Sequence, residues 1–118
     1  MRRGWHILRE GDVLTLARRL PVRFDIAEST QVPLCDPARL IWQVRQDLWR
    51  KLQRLRGFSP VVRVTPEAGQ FTLTAGGRLE AGRGYPAVSQ DIRDVICDRQ
   101  RQERWLRWAR KEAFDGAR

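Results

Sequence analysis

Apolar positions recur with a period of two in some stretches of the chain and of three to four in others, which divides it into predicted strands and helices. Trp5-His6-Ile7-Leu8 and Val13-Leu14-Thr15-Leu16 flank Glu10-Gly11-Asp12, a turn in which Gly can take positive φ, so the first stretch reads as a hairpin. A competing reading makes residues 12 to 20 a short helix ended by Pro21. After Pro21, Val22-Arg23-Phe24-Asp25-Ile26 alternates apolar with charged, the pattern of a strand over 22 to 27 with one wet face.

Asp36-Pro37 is a helix start, because the Asp carboxylate accepts from free N–H groups and Pro fits the first helical position. Ile41, Val44, Leu48, Leu52 and Leu55 then fall within about 80° of arc, which predicts a helix over 37 to 56 with one buried stripe. Trp42 and Trp49 share a flank beside Arg45 and Arg56, and Gly57 is the expected left-handed cap. Residues 60 to 65 and 70 to 75 make a hairpin around Pro66-Glu67-Ala68-Gly69, while Gly76-Gly77 reads as a bulge or the strand's end. Residues 76 to 86, with four Gly, are expected to be a flexible loop.

In the last third, Val88, Ile92, Val95 and Ile96 form one apolar face, and Trp105, Leu106, Ala109 and Ala113 resume it at a different angle. That break predicts two helices, with Asp98 capping the second, a basic helix over 98 to 118. The whole is expected to be one α+β domain, residues 1 to 118: a small antiparallel sheet of three to five strands covered by one long helix and two C-terminal helices. Val62, Val64, Phe71, Leu73, Ile41, Val44, Leu48, Leu52, Ile92 and Ile96 are its expected core. Val61, Val62 and Val64 cannot share one sheet face, so either both faces are covered there or one Val is exposed.

Composition narrows the classes. With 42% hydrophobic residues the chain is too apolar for a disordered tail, and its apolar runs are too short for a membrane span, so no integral membrane association is expected. The net charge is +9, carried by 21 Arg and only 2 Lys. A GC-rich coding bias would spread Arg evenly, but residues 37 to 57 and 99 to 111 each hold six basic groups and one acidic, net +5. The rest of the chain is close to neutral.

Catalytic patterns are missing. The lone His6 has no partner motif, and no G-x-S-x-G, H-E-x-x-H, P-loop or dinucleotide fingerprint occurs. Asp91 and Asp94 read as a solvated helix face near a helix start. Cys35 and Cys97 have no metal-ligand or redox spacing and sit among apolar neighbours, so they are expected to be reduced and buried, in the cytoplasm. No enzyme, cofactor or metal is therefore expected.

The basic segments are the candidate site: Arg39, Arg45, Arg50, Lys51, Arg54 and Arg56 on one helix, Arg101, Arg104, Arg107, Arg110 and Lys111 on the other, with Trp49 and Trp108 beside them. Guanidinium groups pair with phosphate in a fork and indoles stack on unpaired bases, which points to a module gripping nucleic-acid backbone, DNA or RNA. The alternative is an adaptor or accessory subunit whose Arg and Trp surfaces bind an acidic partner protein, since both residues anchor interfaces. Arg78 and Arg83 in the Gly-rich segment are weaker candidates for a phosphate-cradling loop. The element order matches small α+β RNA-binding domains in outline only, because their G-x-x-G clamp and aromatic sheet motifs are missing.

Overall fold

The computed structural model describes residues 4 to 80 and 85 to 116, with side chains as far as Arg110. Strand β1 (His6–Glu10) turns at Gly11, φ +60°, into β2 (Val13–Ala17), so the hairpin reading holds and the short-helix reading of residues 12 to 20 does not. They are followed by β3 (Ile26–Pro33), α1 (Pro37–Leu52), β4 (Phe58–Glu67), β5 (Gln70–Leu79), α2 (Tyr85–Ile96) and α3 (Arg99–Gly116). The five strands form one antiparallel sheet in the order β1-β2-β4-β5-β3. The expected α+β architecture is the one observed.

Register builds the core. Leu14 pairs with Val64 and Leu16 with Val62, while Val64 and Val62 in turn face Leu73 and Ala75. All six are buried, and the α1 stripe of Ile41, Val44, Leu48 and Leu52 packs on them with Ile92 and Ile96 of α2 and Trp105 of α3. Every residue expected in the core is in it. Asp36 caps α1, its Oδ1 accepting from the N–H groups of Ala38 and Arg39 at 3.0 and 3.3 Å. Asp98 caps α3 likewise, accepting from Arg101 N–H at 2.9 Å, which is why two helices replace one.

Four expectations need correction. The alternating run at 22 to 25 is not a strand: it crosses the back of the sheet, with Phe24 beneath the Arg63 guanidinium at 5.1 Å and the Asp25 carboxylate accepting from Leu79 N–H at 2.9 Å. One face on the sheet and one in water gives the same alternation as an edge strand. This crossing segment also settles the three valines, since Val61 points to the back face and is buried there. The true strand, β3, keeps polar Glu28 and Thr30 among its inward positions, which blurs its period.

Second, α1 ends at Leu52, with Gln53 as its C-cap and Leu55 N–H bonded to Leu52 C=O at 3.0 Å. Gly57 is not the cap; it turns the chain into β4 at φ +75°, a conformation that favours glycine, with the Glu80 side chain lying against it. Third, Gly76 to Leu79 belong to β5 rather than to a loop. A Cβ on Gly76 would stand 1.9 Å from the Ile26 carbonyl oxygen, so glycine there lets β3 approach closely. The β4–β5 turn is correspondingly tight, with only Ala68 and Gly69 between the paired Glu67 and Gln70. Fourth, Cys97 is exposed and only Cys35 is partly buried, and both are free thiols. Residues 81 to 84 of the expected loop lie outside the described residues.

Candidate functional site: an arginine and tryptophan groove at the end of α1

At 100° per residue the two flanks of α1 diverge: Asp47 and Trp49 stand roughly 160° apart around the helix axis. The Asp47 flank meets α3. Asp47 is buried, and its Oδ2 accepts from the indole N–H of Trp105 at 2.7 Å and from the Arg104 guanidinium. A lone carboxylate inside a basic run is thereby matched by a cation and an indole donor, which offsets its desolvation. The two helices run in opposite directions, because Arg110, later in α3, lies close enough to Cys35, before α1, to influence its thiol. Burial pushes that thiol up to about 11, Asp36 adds to the rise and Arg110 opposes it.

The opposite flank faces the N-terminal hairpin. Arg45 lies over the rings of Trp5 and Trp42 at 5.1 and 5.5 Å, and Arg18 lies over Trp5 at 5.7 Å. Trp5 and Trp42 meet edge to face, centroids 6.4 Å apart. Beyond this stack opens a groove of about 340 Å³, lined by Trp5, Arg18, Arg45, Trp49, Gln53 and Phe58, with Leu52, Leu55 and Pro60 as its apolar floor. Trp49, one of the lining residues, is 48% exposed. Arg50 and Lys51 stand about 100° and 160° around the helix axis from Trp49, and neither they nor Arg54 and Arg56 line the groove.

The sequence-derived candidates therefore separate. Arg50, Lys51, Arg54 and Arg56 are exposed, and among the described residues no carboxylate engages any of them. Arg39 is exposed in the first turn of α1, far from the groove, and Arg45 forms part of the groove wall. On α3, Arg104 pairs with Asp47, and Arg101 reaches Asp98 at 3.6 Å and the Asp94 carbonyl at 3.0 Å. Arg107 and Arg110 are exposed; Arg107 lines a shallow depression of about 540 Å³ with Asp98, Gln100, Arg101 and Arg104. Trp108 is 48% exposed on α3, across α1 from the groove. Arg78 stands in β5 rather than in a loop, half-buried on the back of the sheet and donating to the Pro21 carbonyl at 2.8 Å. Arg83 and the Lys111 side chain lie outside the described residues.

Trp5, Arg18 and Phe58 belong to the groove and are not among the sequence candidates. A signal for two of them existed: the turn at Gly11-Asp12 sets His6 opposite Ala17, and one step further out that register places Trp5 opposite Arg18. Among the described residues no three His, Cys, Asp or Glu side chains gather as metal ligands, and no helix is long and apolar enough to cross a membrane. No protein-family profile, curated protein or solved structure matches this chain.

Proposed function

We propose that this protein is a non-catalytic module that grips nucleic-acid backbone, and that the grip is the basic end of α1. The observation that carries the reading is the cluster of Arg50, Lys51, Arg54 and Arg56: four exposed cations within seven positions, with no carboxylate on any of them among the described residues. Cations left uncompensated in this way attract a polyanion and release its condensed counterions on binding. The free thiols of Cys35 and Cys97 fit a reducing compartment, so we place this activity in the cytoplasm.

The test is fluorescence anisotropy of a labelled mixed-sequence oligonucleotide. Affinity should fall severalfold or more between about 50 and 200 mM salt, and Arg50→Glu/Arg54→Glu should lower it by about tenfold or more with the fold intact. Binding that ignores salt, or a variant that binds like the parent, overturns the reading. A second reading, an adaptor for an acidic protein, draws on the half-exposed Trp108 on the far side of α1. Under that reading Trp108→Ala weakens a stoichiometric protein complex and leaves oligonucleotide affinity unchanged.

A further inference from the structure

The groove beside the basic cluster has a shape that phosphate alone does not need. Phosphate is held by cations on a convex surface, and Arg50, Lys51, Arg54 and Arg56 provide that without any recess. The recess is aromatic and apolar, from Trp5, Trp49, Phe58, Leu52 and Leu55, with polar groups at two places, the guanidinium pair of Arg18 and Arg45 and the Gln53 amide. Its volume of about 340 Å³ falls at the lower end of small-molecule sites. A flat, apolar body with hydrogen-bonding edges, joined to phosphates on either side, is complementary to this combination. An unpaired nucleobase in a strand has that chemistry; a paired base does not, because stacking and pairing hide both its faces and its edge.

From this complementarity we infer that the groove takes an unpaired base of a single-stranded nucleic acid, stacked on Trp49, while the strand's backbone runs on over the end of α1 to the exposed Arg50, Arg54 and Arg56. The inference rests on the backbone-binding reading above and adds the form of the nucleic acid to it. Gln53 is the adaptable edge partner: its Nε2 donates one hydrogen to the Arg50 carbonyl at 3.4 Å, which leaves Oε1 and the second N–H for a base edge. Trp5 is placed less for contact than for support: the Trp42 edge on one side and Arg45 and Arg18 over its ring fix the groove wall.

Anisotropy with a labelled single strand of about 12 nucleotides, its blunt duplex and an abasic strand of equal length tests this at one fixed salt concentration. The expected result is that the single strand binds about tenfold or more tighter than the duplex. Trp49→Ala should lower the single-strand affinity by about tenfold while leaving the duplex value unchanged, and Trp49→Phe should recover part of the loss. The abasic strand should bind the parent protein no better than the normal strand binds Trp49→Ala. Circular dichroism and urea unfolding of both variants are expected to match the parent, because Trp49 lies outside the core. If Trp49→Ala unfolds instead, the abasic strand on the parent protein decides alone.

Single strand and duplex binding equally, with the abasic strand as tight as the normal one, overturns the base-binding groove and leaves the backbone grip standing. A free nucleoside monophosphate binding as tightly as the strand overturns it in favour of a small-molecule pocket. Failure of every oligonucleotide to bind overturns the backbone reading itself, and this inference with it.

Discussion

On α3, Arg101 and Arg104 reach carboxylates, Arg107 and Arg110 reach none among the described residues and Trp105 fills the core, whereas at the end of α1 Arg50, Lys51, Arg54 and Arg56 all reach no carboxylate among the described residues and Trp49 is half exposed. Both segments hold six basic groups against one acid. The difference is where acids from elsewhere come to rest. Asp47, the single acid of the first segment, points away from its own cations to the second helix and matches an arginine there. Asp98 does the same from the cap position. Which cations are matched is thus set by the nearest carboxylate in space, and two runs indistinguishable by charge differ in how many of their cations are matched.

The strongest way to break this contrast is at Asp47. Asp47→Ala leaves the Trp105 indole N–H buried without its acceptor and Arg104 without its partner, an expected loss of about 3 kcal/mol. Urea unfolding with a lowered midpoint and an unchanged m value would read it. A loss below about 1 kcal/mol would mean that apolar contacts alone hold α3 in place.

A smaller effect is expected from the exposed part of α3. Arg107→Glu/Arg110→Glu should reduce oligonucleotide affinity by less than about threefold at a salt concentration where reversal of Arg50 and Arg54 costs about tenfold. Equal losses would merge the two helices into one dock and erase the distinction between them.

The smallest effect concerns Arg23, another matched cation, on the back of the sheet. Its guanidinium holds the Asp25 carboxyl below the ordinary 3.8, with the Leu79 N–H adding to the shift. A carboxyl so lowered binds fewer protons folded than unfolded, so its contribution is present above about pH 3.8 and is lost as pH falls through the lower folded value. Asp25→Asn should therefore flatten the acid limb of a stability-against-pH curve. An unaltered limb would show that this exposed pair adds nothing.

How much of this was legible beforehand differs by element. Asp36-Pro37, the stripe through Leu52 and the capping Asp98 were readable because caps and apolar periods are local. The segment at 22 to 25 misled because a loop lying on a sheet and an edge strand impose the same alternation, and only hydrogen bonding tells them apart. Gly76 and Gly77 read as interruption when they serve approach: the crowding comes from Ile26 and Ser59, remote in the chain. At the site, the excess of cations along α1 was plain from composition. That Arg104 is matched and Arg54 is not depends on Asp47 facing across a helix pair, which no single segment encodes. Trp5 and Arg18 stood in between, derivable from the hairpin register but only once the hairpin was preferred over a helix.

The groove is assembled from four separate pieces of chain: Trp5, Arg18, the end of α1 with its following turn, and the start of β4. It is a composite, absent from each fragment alone. A synthetic peptide covering residues 37 to 57 would keep every cation of the first run, yet would have no concavity, because the hairpin supplies one wall and Phe58 another. Under the proposed reading, discrimination between single strand and duplex would require the finished tertiary structure, while attraction to a polyanion would need only the linear segment.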